Sequence, residues 1–278
     1  MAEIVSVHAT SHTPVMINFA DAVPATDRED IFAAYRTVGQ EILDARPDAL
    51  IVISDDHVHN FFMNNFPAFC IGAAANYPTP VEHWLKVRKQ TLRGDSQLGA
   101  HLLGEALQNG FDPSFSMDLT LDHGVLTPLH LADITADVAV VPVLVNCVQP
   151  PLPPMSRALQ WGRFLGQALA SYEGCARVSV LATGGISHDI ATPRMGLLNE
   201  DFDREFLRLL GGDDEALVRY ATDHVNEAGN GAEEIRTWLV AHGAAQSFGA
   251  RFEPIYYKGV ANWYTGIGLG RWVSRGVA

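Results

Sequence analysis

The sequence predicts an α/β fold: one domain, 1–278, layered around a central mixed, mostly parallel sheet with helices on its faces. Three observations carry this expectation. Short apolar runs of strand length alternate with longer segments of helical spacing. One run, Ala49 to Ser54, is apolar almost without a break, the pattern of a strand buried on both faces of a parallel sheet. No repeat, low-complexity tract or long linker divides the 278 residues, a length able to bury a large core.

Ile4 to His8 alternates as a short strand, and a loop holding His12 and Pro14 follows. Ile31, Ala34, Val38 and Ile42 mark a helix over Asp30 to Ala45 that stops before Pro47. After Ala49 to Ser54, Phe69 to Ala73 reads as the next strand. The spacing then predicts two helices, Val81 to Arg93 and Gln97 to Gln108, separated at Gly94 and Asp95. Phe115 to Leu119 is a short strand leading to His123, and Leu126 to Ile134 a short helix. Val138 to Val145 has the strongest strand signal, but Pro142 cannot donate to a ladder and demotes it towards an edge or a bulge. Gln149 to Pro154 (QPPLPP) is an extended connector, Ala158 to Tyr172 an amphipathic helix, and Val178 to Ala182 the strand before His188. Helical signal fills Asp201 to Ala245, with breaks at Gly211, Gly212 and at Gly229 to Gly231. Phe252 to Val260 returns to strand.

Composition narrows the function. With 47% hydrophobic and 18% charged residues the chain is globular rather than disordered. A formal charge of −13 argues against nucleic acid or an anionic membrane as partner, because both need clustered Lys and Arg. Cys70, Cys147 and Cys175 lie far apart with no C-x-x-C pair, which indicates neither a disulfide framework nor a zinc knuckle. The first residues lack the basic and apolar regions of a signal peptide. No apolar stretch approaches the ~20 residues that span a bilayer. A cytoplasmic location is expected.

Four histidines sit just past strand-like runs: His12 in ATSHTPV, His57 in IVISDDHVHNFF, His123 in LTLDHGVLTPL and His188 in LATGGISHDI. Glu234, in GNGAEEIRTW, lies on a late helix. In an open α/β sheet, loops at the carboxyl ends of strands converge on one crevice. Two imidazoles and one carboxylate form a facial triad suited to non-haem Fe(II) and O2 chemistry, which would leave two histidines free to move protons. Singly, each of these histidines also fits a solvated or structural loop position. Asp55 and Asp56 flank His57 and could fix its tautomer, while Asp122 could raise the basicity of His123. Gly184 and Gly185 open the turn that presents His188 and lack both the phosphate-loop spacing and its lysine. On a helix from Gly231 to Ala245, at ~100° per residue, Glu234 borders the core side marked by Ile235, Trp238 and Leu239. Glu233 lies further round, as a helix N-terminal acid. A carboxylate turned inwards needs a partner, and a metal would supply one. His59 shares a face with His57 in an extended segment, so geometry alone lets either bind.

Together and in this order, the segments SHTP, SDDHVHNFF, PAFCIGA, LDHGVLTPL, VPVLVN, TGGISHD, PRMGLLNEDFDREFL and GNGAEEIRTWL resemble the class III extradiol ring-cleaving dioxygenases. That group includes the protocatechuate 4,5-dioxygenase catalytic subunit and the 2,3-dihydroxyphenylpropionate dioxygenases. The matching segments run from about residue 4 to about residue 245, and DHG and GGISHD are the most specific of them. The resemblance implies Fe(II) held by His12, His57 and Glu234, with His188 as general base and His123 beside the oxygen. It assigns His57, not His59, to the metal and leaves His59 on the pocket wall. Thr13 and Thr265 are polar candidates for orienting a ring substituent. The implied substrates are O2 and a small catechol (protocatechuate, gallate or phenylpropionate-like), cleaved beside its two hydroxyls. The implied assembly is a homo-oligomer, with or without a small accessory subunit. Two other readings compete: a zinc-dependent amide hydrolase, since histidine and glutamate also serve zinc, and a non-catalytic binding protein on the same fold. The chain has no H-E-x-x-H motif for the first, and keeping all five residues argues against the second.

Overall fold

The alternating apolar and helical segments assemble into one large sheet with helices on both faces. The computed structural model describes residues 1–134 and 138–274; the last four residues of the expected 1–278 domain, and the three before Val138, lie outside the described residues. The strands are β1 (Glu3–Thr10), β2 (Ala49–Ser54), β3 (Phe69–Gly72), β4 (Asn76–Thr79), β5 (Gln90–Arg93), β6 (Ser114–Ser116), β7 (Ala139–Val145), β8 (Arg177–Thr183), β9 (Ala250–Val260) and β10 (Thr265–Ser274). The helices are α1 (Val15–Asn18), α2 (Ala25–Asp44), α3 (Ser96–Gln108), α4 (His123–Leu131), α5 (Met155–Ala170), α6 (Glu200–Leu209), α7 (Asp214–Ala228) and α8 (Ile235–Gln246). The main sheet has eight strands in the order β6-β3-β7-β2-β8-β1-β10-β9, and β4 and β5 form a separate pair.

β7, β2, β8 and β1 are parallel neighbours, and β6 runs parallel to β3. The pairings β3–β7, β1–β10 and β10–β9 are antiparallel, so the sheet is mixed around a parallel heart. That heart carries the carboxyl ends of β1, β2 and β8 to a common edge. The pleat sorts the side chains: Ala49, Ile51 and Ile53 enter the core with α3, α5 and α8, while Leu50 and Val52 enter the one with α2 and α4. Among the described residues no helix is long and apolar enough to cross a membrane.

Pro142 does not put β7 at an edge. The strand lies inside the sheet, with Pro142 opposite Val52 of β2. Its pairing with β3 ends at Ile71↔Val143, one residue short of the proline, so no ladder there asks for the missing N–H. The segment Val81 to Arg93 is not a helix either. It is the long loop and second strand of the β4–β5 hairpin, and the loop is fastened elsewhere: Val81 N donates to Leu121 O (3.0 Å) and Leu121 N to Pro78 O (2.9 Å). The spacing of Val81, Leu85 and Val87 imitates a helical face, and these tertiary bonds override it. β10 went unpredicted because Gly266, Gly268 and Gly270 alternate along it and lower strand propensity. Ladders to β1 on one side and β9 on the other hold it extended.

α5 and α8 meet at Gly162, where a Cβ would come within 2.0 Å of the Val240 carbonyl oxygen. Gly162→Ala is therefore expected to lower stability by ~1–3 kcal/mol through overpacking. Gly104→Ala, with nothing within 4 Å of the added carbon, should raise it by up to ~1 kcal/mol through helix propensity. Urea denaturation of the two variants reads this difference; the opposite order would mean that the helices do not approach so closely. Asp203 ties α6 to the segment after β8, accepting from Ser187 N (2.8 Å), Ser187 Oγ (2.7 Å) and Tyr257 OH (2.8 Å). Burial outweighs these bonds and pushes its carboxyl up to about 6. The folded state thus holds the proton more tightly than the unfolded chain, and stability from this group falls as pH rises from about 4 to about 6. The loss is on the order of 2–3 kcal/mol. Asp203→Asn should remove that part of the pH dependence; an unchanged slope between pH 4 and 7 would contradict it.

Candidate active site and metal centre

Loops leaving the carboxyl ends of three parallel strands bring the chemistry together. His12 follows β1, Asp55 and His57 follow β2, and His188 follows β8. His123 opens α4, and Glu234 ends a 3-10 turn (Gly231–Glu234) that leads into α8. His12, Thr13, His57, His59, His123, His188, Glu234 and Thr265 all line one cavity of about 370 Å³. A hollow of about 720 Å³ opens at the other end of β1, where His8 pairs with Glu41 and Arg271 with Glu41 and Glu253.

At the cavity floor, His12 Nε2 and His57 Nε2 stand 3.2 Å apart. Glu234 Oε2 is 3.8 Å from the first, and its Oε1 is 3.7 Å from the second. Asp55 Oδ2 is 3.5 Å from His57 Nε2. One ligating atom from each of His12, Asp55, His57 and Glu234 fits within 4.8 Å of the others. Two donors about 2.1 Å from one ion, at right-angled to tetrahedral spread, stand roughly 3.0–3.4 Å apart. The two imidazole nitrogens stand at that spacing, and the carboxylate oxygens, 3.5–3.8 Å from them, are a few tenths of an ångström wider and too far for hydrogen bonds to the rings. Asp55 adds a second indication, for both of its oxygens are buried without a hydrogen bond.

The electrostatics agree. Burial pushes the Asp55 carboxyl well above the usual carboxylate range. Burial also opposes a charged His57, yet Asp55 and Asp122 hold its imidazole well above the usual histidine range. The His57 shift reports the negative charge of these acids, and the Asp55 shift reports chiefly its burial. Burial drives His12 down to about 3, so it is a neutral imidazole with a lone pair to give. Burial works against the Glu234 carboxylate, and the charge and hydrogen bond of His188 nevertheless hold it well below its usual range. Gly185 N also donates to Glu234 Oε2 (2.5 Å), so the turn that presents His188 also holds this acid. The residues present therefore fit a divalent cation.

The acids around the histidines differ from the sequence expectation. The tautomer of His57 is fixed by Asp122, whose Oδ2 takes both the His57 backbone N–H and Nδ1, each at 2.9 Å. Asp56 serves the loop instead, accepting from the N–H groups of His59, Asn60 and Phe61. Asp122, adjacent to His123 in sequence, is thus spent on His57. The partner of His123 is Glu82, at 2.5 Å from Nδ1. Sequence reasoning passed over Glu82 and Trp84 because they lie in the segment read as a helix. The Asp55–His57 spacing of two, which puts both on one face of an extended segment, was a usable signal for Asp55.

Glu234 is buried and Glu233 turns away from the site to pair with the buried Arg236, although the turn there is 3-10 and α8 begins at Ile235. His188 donates Nδ1–H to Ile186 O (2.9 Å), and its Nε2 is 3.4 Å from Glu234 Oε1. Only a residue without a Cβ fits behind that ring, since one on Gly231 would meet His188 Nε2 at 2.0 Å. Burial opposes proton uptake by His188, and the Glu234 charge overrides it and raises the proton affinity. Pro14, Val15, Trp84, Ile190, Met195 and Trp263 complete a largely apolar wall.

The family described as catalytic LigB subunit of aromatic ring-opening dioxygenase matches residues 6–268. A 2,3-dihydroxyphenylpropionate/2,3-dihydroxicinnamic acid 1,2-dioxygenase of Photorhabdus laumondii is 27% identical, with 94% of each chain covered. The enzyme of the same name from Paraburkholderia xenovorans is 30% identical over 93% of this chain and 94% of its own. Gallate dioxygenase of Pseudomonas putida is 32% identical over 59% of this chain and 49% of its own. In fold, the chain is similar to the crystal structure of uncharacterized protein JW3007 from Escherichia coli, with a TM-score of 0.63 at 13% identity, over 95% of this chain and 99% of that one. With the family match running over nearly its whole length, the chain belongs to the LigB family of aromatic ring-opening dioxygenases, the class III extradiol group, and is a ring-cleavage dioxygenase.

Proposed function

We propose that this chain is an Fe(II)-dependent extradiol dioxygenase, acting as a single catalytic domain, that opens a catechol-type ring beside its two hydroxyls and incorporates both atoms of O2. The observation that carries the reading is the convergence of His12 Nε2, His57 Nε2 and the Glu234 carboxylate beside an Asp55 without hydrogen bonds. In this reading His12, His57 and Glu234 hold the metal, and Asp55 lies within ligand distance. Two imidazoles with carboxylate and open positions suit Fe(II), which supplies when bound a centre where a chelating catechol and O2 meet.

The remaining work falls to the protein. His188, its Nδ1–H committed to Ile186, offers Nε2 to a substrate hydroxyl proton, and Glu234 stabilises the imidazolium that results. His123, its Nδ1 committed to Glu82, has Nε2 as the free nitrogen for a second proton transfer on the oxygen side. Thr13, Thr265 and His59, with Tyr264, give the wall its polar groups. Among the described residues lining the cavity none is Lys or Arg, so an anionic ring substituent would be held by the hydroxyl and imidazole groups of the wall. The substrates in the relatives' names, a 2,3-dihydroxyphenyl acid and gallate, support a catechol-type ring.

Anaerobic loading with Fe(II), followed by a panel of catechols, gallates and aminophenols in air, tests the reading through O2 uptake and yellow ring-opened products. Bound zinc with amide cleavage and no O2 uptake would favour the hydrolase and sink it. Metal analysis should find about one Fe(II) per chain, an estimate from a single triad. His12→Ala, His57→Ala and Glu234→Ala should each lose it with the fold intact, whereas His59→Ala should keep the iron and alter KM or rate. Iron retained by His57→Ala but lost from His59→Ala would reverse that assignment. His188→Ala should keep iron and lose turnover by ~10²- to 10⁴-fold, the usual scale of acid–base catalysis. An emptied metal site in that variant would make His188 a ligand.

A further inference from the structure

Glu82 is a buried carboxylate outside the proposed set of metal ligands. It arrives from the β4–β5 loop, which is fastened to the segment just ahead of His123: Val81 N donates to Leu121 O (3.0 Å), and Thr79 Oγ1 to the same oxygen (3.0 Å). From there a single oxygen, Oε1, accepts both the backbone N–H of His123 (3.0 Å) and its Nδ1 (2.5 Å). His59 Nε2 lies 3.3 Å from that oxygen. The other oxygen, Oε2, is buried with no hydrogen-bond partner.

The arrangement repeats what Asp122 does for His57, where one carboxylate oxygen also takes the backbone N–H and Nδ1 of the same histidine. Holding both donors fixes the rotation of the ring as well as its tautomer. His123 is thereby kept as the Nδ1–H form, its ring 4.1 Å from that of His57 and tilted 35° to it, with Nε2 as its free nitrogen. A carboxylate with one bare buried oxygen is a costly way to close a loop, and an apolar residue at 82 would be cheaper for folding alone. Such local conflicts are expected at functional positions. We propose that Glu82 is a positioning residue, which acts through His123 by setting the tautomer and orientation of its imidazole. The proposal rests on the ring-cleavage reading, in which His123 works beside the substrate.

Glu82→Ala and Glu82→Gln separate positioning from plain structure. The glutamine keeps an acceptor oxygen for both His123 donors, and the alanine does not. In Glu82→Ala, iron content and KM should stay near wild type while kcat falls on the order of 10- to 100-fold, as for loss of a supporting group. Glu82→Gln should recover most of that loss. Added to His123→Ala, Glu82→Ala should cost nothing further, because the two act as one unit. A tautomer spectrum of ¹⁵N-histidine-labelled protein gives a readout free of turnover: the Nδ1–H signal of His123 should persist with glutamine and disappear with alanine. Unchanged kcat in Glu82→Ala, no rescue by glutamine, or an unaltered tautomer would each overturn the proposal. If the wild type opened no catechol, the ring-cleavage reading would fall, and the tautomer spectrum would still decide whether Glu82 sets His123.

Discussion

A carboxylate taken out of water costs several kcal/mol unless it is paired, and this fold brings three carboxyl groups to one imidazole. Asp122, Asp55 and Glu234 lie 2.9, 3.5 and 3.7 Å from nitrogens of His57. The surroundings answer that charge unequally. Asp122 is satisfied by the two donors of His57 and by Gly124 N at the start of α4. Glu234 has Gly185 N and the nearby imidazoles. Asp55 has no hydrogen bond at all. In the proposed reading a metal ion would answer that charge without adding a proton that catalysis would have to remove. The shared carboxyl edge of β1, β2 and β8 brings His12, Asp55, His57 and His188 to one floor, and Asp122 and Glu234 join them from the start of α4 and the turn before α8.

Much of this was legible in the sequence, for reasons that vary by element. β2 was readable because burial on both faces leaves an unbroken apolar run. The histidines were readable because strand ends announce themselves and the loops beyond them are where an open sheet builds sites. The inward turn of Glu234 followed from periodicity even though the first turn is 3-10, since a small change of pitch over one turn does not carry a side chain to the opposite face. What escaped were the pairings that only the tertiary structure sets. Asp122 sits beside His123 in the chain but faces His57, and Glu82 reaches His123 across 41 residues. Pro142 misled for the same reason: the harm a proline does to a sheet depends on where the neighbouring ladder ends, and β3 ends one residue short of it.

The histidines fall into three kinds by what holds the nitrogen turned away from the cavity. His57 and His123 are each gripped by one carboxylate oxygen that also takes their backbone N–H. His188 is held by a backbone carbonyl, and His12 Nδ1 is buried with no partner. A carboxylate grip adds negative charge behind the ring and raises the basicity of the far nitrogen, whereas a carbonyl fixes orientation and adds less. In His188 the strengthening comes from the front instead, through Glu234, so its proton affinity responds to whatever else Glu234 is asked to balance. A cation shared by His12, His57 and Glu234 would draw on that same carboxylate and lower the hold of His188 on its proton. If His188 moves the proton and the three residues hold a cation, as proposed, both would draw on one side chain, Glu234.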